Sequence, residues 1–122
     1  MISPGASGRC VPKPRVLDLR VSPKAESAID LLTPQQRKKL EWWYSRLKSD
    51  PFVGDQIPKD RIPEDLGRRH RMAQKPPNAW RFEPPLAFRG VYTVLAGGPE
   101  GVCVLVLEVL SHKEYDRLFG YH

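Results

Sequence analysis

Cysteine is scarce in this chain: there are 2 in 122 residues, Cys10 and Cys103. They stand far apart, Cys10 in a Pro/Gly-rich stretch and Cys103 in a strand-like one. No disulfide framework is indicated, and reduced thiols in a cytoplasm are expected. No Cys/His spacing resembles a zinc site, so no metal is expected, nor any small-molecule cofactor. Long apolar runs are missing too. The longest, Val102 to Leu107, has the length of a strand. A membrane helix needs roughly 20 apolar residues, so no membrane role is expected. The opening Met1-Ile2-Ser3-Pro4-Gly5 has no apolar core of a leader, and no secretory signal is expected.

Negative charge is the third shortage. Asp and Glu number 14 against 20 Lys and Arg, for a net charge of +6 and an isoelectric point near 9.6. Such a balance favours anionic partners: nucleic acid, an acidic protein segment or a ribosome surface. The distribution sharpens this. From Arg68 to Arg81 no acidic residue occurs, while Arg68, Arg69, His70, Arg71 and Lys75 all do. Arg68, Arg69, Arg71 and Lys75 are on this ground candidate RNA-binding residues.

What is present fits one domain. Hydrophobic residues make up 40% and charged residues 28%, ordinary for a globular protein. Residues 1–14 are rich in Gly, Pro and Ser and read as a tail without order of its own. Residues 15–122 read as a single domain.

Val16 to Val21 alternates apolar and polar positions, the pattern of a half-buried strand. Ser22-Pro23 supplies an N-cap and a first-turn proline, predicting a short helix to about Leu32. Thr33-Pro34-Gln35-Gln36 has the spacing of a capping box. Leu40, Trp43, Tyr44 and Leu47 then form one helical stripe, with Trp42 off it as a possible partner contact. Asp50-Pro51 ends this helix. Residues 51–79 read as a long connection, in which Pro63-Glu64-Asp65-Leu66 suits one helical turn. Ala79–Glu83, Phe88–Leu95 and Val102–Leu110 read as three strands, the last two joined by a Gly97-Gly98-Pro99-Glu100-Gly101 turn. Apart from Glu108 the third strand is apolar, as in a strand buried on both faces. His112–Phe119 suits a terminal helix.

The order β-α-α-β-β-β-(α) predicts an α+β fold with a helical hairpin on one face of a twisted, mostly antiparallel sheet. The other face is expected to be partly open. Arg81 and Arg89 fall on neighbouring strands. If the strands pair around residue 85, the two arginines lie opposite each other. Like charges in that position are unfavourable without an anion between them, which points to a phosphate site.

Trp80-Arg81-Phe82, then Phe88-Arg89-Gly90-Val91-Tyr92-Thr93-Val94, then an apolar strand into His112-Lys113-Glu114-Tyr115-Asp116, resembles the RelE/ParE toxin superfamily. The pattern is nearest to the RelE and YoeB/Txe branches. Pro51-Phe52-Val53-Gly54 and Pro63-Glu64 also resemble the YoeB-type pattern. The resemblance covers residues 15–120 and implies a toxin of a toxin–antitoxin pair. RelE and YoeB members cut messenger RNA in the ribosomal A site without a metal, whereas ParE members inhibit DNA gyrase. It therefore implies mRNA, the ribosome and a cognate antitoxin as partners, the antitoxin docking on the open sheet face and the groove of the helical hairpin.

The resemblance also assigns roles. Arg89 matches the family arginine at the scissile phosphate, and Arg81 stands one strand earlier. His112 is the candidate proton-transfer group, its ordinary pKa near 6.5 suiting either direction. Tyr115 would stack on a base or bond the phosphate, or else pack on the sheet. Glu64 is a candidate general base, and Lys113 joins the candidate RNA-binding residues through the same resemblance. Two departures bear on these roles: the insert from Arg68 to Pro77 separates Glu64 from Arg81, and Glu83 stands where relatives often carry a lysine. A catalytically inactive relative, or a basic RNA-binding module without cleavage, are the other classes this sequence admits.

Overall fold

A computed structural model describes residues 14–83 and 88–120. Cys10 and the expected N-terminal tail, except its last residue, lie outside the described residues, as does the Pro84-Pro85 break. Among the described residues the fold is α+β: a five-stranded sheet in the order β1-β5-β4-β3-β2, with four α-helices. The strands are β1 (Val16–Val21), β2 (Asp55–Gln56), β3 (Trp80–Phe82), β4 (Phe88–Ala96) and β5 (Val102–Ser111). The helices are α1 (Pro23–Ile29), α2 (Pro34–Ser49), α3 (Glu64–Arg69) and α4 (His112–Phe119). β1 runs parallel to β5, and every other pairing is antiparallel.

Local chemistry sets the element ends. The Ser22 hydroxyl accepts from the Ala25 N–H and donates to the Leu107 carbonyl, so it caps α1 and ties it to β5. Thr33 and Gln36 close a reciprocal capping box at α2, and Ser111 and Glu114 close another at α4. Ser111 therefore caps the last helix.

Two cores lie on opposite sheet faces. α1 and α2 cover the first, where Leu40, Leu47, Phe82, Tyr92 and Val106 are buried. Burial of each such side chain contributes about 1.5–3 kcal/mol. Trp43 stacks on Phe82 at 5.3 Å. Phe82 in turn fills the space beside Gly90, where any Cβ would collide with its ring. Trp42 is off the stripe and exposed, with Lys39 and Arg46 against its ring at 4.8 and 4.9 Å.

The second face departs from expectation. It is not open across the arginine-bearing strands. The long connection adds β2 at the sheet edge and then folds over the face as a 3₁₀ turn (Lys59–Arg61) and α3, and α4 returns across it. Ile57, Ile62, Leu66, Leu107, Leu110 and Tyr115 form a second core there. The reason is visible in the connection's composition. Its proline and glycine positions punctuate a segment that still carries Ile57, Ile62 and Leu66 at spacings able to bury them.

Asn78 fixes the entry to β3. Its Oδ1 accepts from the Val94 N–H and its Nδ2 donates to the Val94 carbonyl, at 2.8 and 2.9 Å. The buried Thr93 hydroxyl lies 2.9 Å from the same Oδ1. These bonds hold β3 against β4 in a single register. Arg81 pairs with Val91 and Phe82 with Gly90. A register centred on residue 85 would have set Arg81 against Arg89; the strands instead pair two residues further along. Arg81 and Arg89 still share a face, as diagonal neighbours.

Candidate functional site

The two arginines lie on the second face, bordered by β2 and α4. Both are half-buried, with side chains 28% and 21% exposed for Arg81 and Arg89. Tyr115, fully buried on α4, joins them. Arg81 Nη1 donates to the Tyr115 hydroxyl at 3.3 Å. The Arg89 guanidinium sits 4.7 Å from the Tyr115 ring centre and that of Arg81 5.8 Å away. Cation–π attraction strengthens when the pair is desolvated, as here. Phe119 stacks on the Tyr115 ring, 4.3 Å between ring centres.

Three carboxylates approach the pair. Glu83 Oε1 lies 3.4 Å from Arg81 Nε and 3.3 Å from Arg89 Nε. Asp55 Oδ2 is 3.8 Å from Arg81 Nη2, and Asp116 Oδ1 is 3.8 Å from Arg89 Nη1. The anion between the arginines is thus the chain's own Glu83. These are close ion pairs but poor hydrogen bonds. Both Nε–H groups are buried and make no hydrogen bond within the geometry one requires. Burial pulls the Arg81 guanidinium down; the Tyr115 hydrogen bond and the Glu83 and Asp55 charges outweigh it and hold its pKa above the ordinary value.

The basic run after α3 divides among several tasks. Arg69 makes two hydrogen bonds of 2.9 Å to the Glu108 carboxylate, and His70 Nε2 lies 2.6 Å from the same group. Glu108 is 2% exposed. Burial pushes its carboxyl up, but His70 and Arg69 outweigh this and hold it below the usual carboxylate range. Arg68 pairs with Asp65 at 2.5 Å on the surface. Lys75 donates to the carbonyls of Lys59 and Ile62, closing the connection on itself. Of the candidate RNA-binding cations in this run, only Arg71 has no such partner among the described residues. It adopts a left-handed backbone, with φ of 57°.

The remaining candidates fall into two groups. His112 and Lys113 are exposed on the first turn of α4. His112 shares a helical stripe with Tyr115, Asp116 and Phe119, one turn before the arginine contacts. Glu64 is exposed at the start of α3 and takes no part in the contacts that join Arg81, Arg89 and Tyr115. The sequence reading did not single out Asp55 or Asp116 and gave Glu108 no partner. Glu108 alone carried a signal: a lone acid in an apolar strand needs a cation, and the basic run supplies one.

Among the described residues no group of His, Cys, Asp and Glu is placed to hold a metal ion. No described helix is long and apolar enough to cross a membrane. No family model, no curated protein and no solved structure matches the chain.

Proposed function

We propose that this chain is a RelE-like toxin that cleaves messenger RNA on the ribosome without a metal, held in check by an antitoxin. The carrying observation is the Arg81–Tyr115–Arg89 cluster, in which two guanidiniums on adjacent strands converge on one tyrosine. Cleavage through a 2′-hydroxyl builds negative charge on the phosphorane, and preorganised arginines are suited to stabilise it. On this reading the two arginines bind and polarise the phosphodiester, displacing Glu83 from between them. Tyr115 orients both guanidiniums. His112 moves a proton at the edge of the site. The α+β class, with a helical pair on one face of the sheet, supports this reading.

A second reading is favoured by the three carboxylates: a non-cleaving member that binds a protein target, such as DNA gyrase, through the same surface. Glu83, Asp55 and Asp116 together offset the charge of both arginines. Induced expression separates the two readings. A nuclease gives growth arrest with messenger RNA ends at defined codon positions, and Arg89→Ala abolishes both. Arrest with intact messenger RNA and inhibited supercoiling counts against cleavage and for the gyrase reading.

A further inference from the structure

α3 and α4 pack on the second face against β4 and β5, and among the described residues they leave the neighbourhood of the β1–β5 seam uncovered. A groove of about 620 Å³ remains there. Its floor is apolar, built by Leu105 and Leu107 of β5, Val21 of β1 and Met72 after α3. Its rim is basic, and no acidic residue among the described ones lines it. Two of the rim cations have internal partners: Arg20 pairs with Asp18 at 2.7 Å, and Arg69 with Glu108 at 2.9 Å. The other two, Lys24 and Arg71, are exposed and carry no ion pair among the described residues. β1 is the last strand of the sheet, so its outer edge has no strand partner among the described residues.

We propose that this groove docks an extended acidic segment of a partner protein. The partner's apolar side chains would enter between Val21, Leu105 and Met72, and its carboxylates would meet Lys24 and Arg71. An apolar floor with a rim of one sign selects both features together, since floor contacts supply affinity and the rim supplies orientation and rate. The free edge of β1 permits backbone pairing to the same segment. Peptide is favoured over RNA because no Phe, Tyr or Trp among the described residues lines the groove, and its one imidazole, His70, is buried against Glu108. Single-stranded RNA is held chiefly by stacking on such rings. The inference does not rest on the nuclease reading, because the groove shares no residue with the Arg81–Tyr115–Arg89 cluster.

The test is fluorescence anisotropy of the full chain with a labelled peptide of alternating Glu and Leu. A Glu/Ser peptide and a labelled oligouridine serve as comparators. The expected result is saturable binding of the Glu/Leu peptide, weakened about tenfold or more in the double variant Lys24→Glu, Arg71→Glu. Both positions are exposed, so that variant should keep the wild-type circular dichroism. Leu105→Ser should weaken the same peptide, and Arg89→Ala should leave it unchanged. Three results would each overturn the proposal: no binding, equal binding of the Glu/Ser peptide, or an unaffected double variant. Tighter binding of oligouridine, lost in the double variant, would also overturn it and assign the groove to RNA.

Discussion

Two arginine–carboxylate clusters lie on the same face of the sheet, and they are built differently. In the first, Glu108 is 2% exposed and meets Arg69 through two bonds of 2.9 Å. His70 closes on the same carboxylate. Donor and acceptor geometry is satisfied, and the cluster fastens α3 to β5. In the second, Glu83 is 42% exposed and lies 3.3–3.4 Å from two Nε atoms whose N–H groups it does not properly accept. One carboxylate is fully committed. The other sits between two cations with bonds left unmade. A buried ion pair holds when its hydrogen bonds are complete, and a network left half-satisfied keeps bonding capacity that an entering anion would use. The first cluster therefore fastens the fold, and the second is where the proposed site lies.

Substitutions can break or sharpen that contrast. Glu108→Ala has the largest expected effect, because it leaves Arg69 and His70 facing an empty pocket. A loss of about 3–5 kcal/mol is expected, read as a fall in the urea midpoint. If Glu108→Ala melts like wild type, the structural reading of the first cluster fails.

Acid should act through the same carboxylate. Its folded pKa is depressed, so its stabilisation is fully present above the unfolded value of about 4.3 and is lost as pH falls through the folded value. Urea midpoints of wild type should therefore fall on acidification below about pH 4.3, and those of Glu108→Gln should fall less. Parallel curves for the two proteins would contradict the assignment.

Glu83→Gln should do the reverse of Glu108→Ala. Stability should change by no more than about 1 kcal/mol, since the pairs it makes are partly exposed. Affinity for a short RNA, read at fixed low salt, should rise several-fold because the competing charge between the arginines is gone. Unchanged or weaker RNA binding would mean that the arginines serve Glu83 rather than a phosphate.

Much of the framework was legible in the sequence. The alternation of Val16–Val21, the stripe from Leu40 to Leu47 and the capping pairs Ser22-Pro23 and Thr33–Gln36 are local signals, and the elements sit where those signals put them. β2, and the folding of residues 55–69 over the second face, were not legible. Asp55–Gln56 has no strand pattern of its own and exists through pairing with Arg81 and Trp80. The site was half legible for the same reason. Arg81, Arg89 and Tyr115 stand out as residue types on adjacent elements. Their register depends on Asn78 bonding to Val94, a contact 16 residues away in sequence that no local pattern encodes. Charge counting also misled in part. The run Arg68–Lys75 reads as one basic surface, yet Arg69 turns inward to Glu108 and Lys75 to backbone carbonyls. Side-chain direction there is set by tertiary partners, not by composition.

The central claim is that the loosely paired cluster is where a phosphodiester binds and is cleaved. It is tested most directly by incubating purified wild type and Arg89→Ala with translating ribosomes and mapping messenger RNA 5′ ends at matched folded fraction. The account predicts discrete cuts by wild type and a loss on the order of 10²-fold or more in Arg89→Ala, the scale of removing one transition-state donor. Equal cleavage by the two proteins, or no cleavage by the wild type, would contradict it.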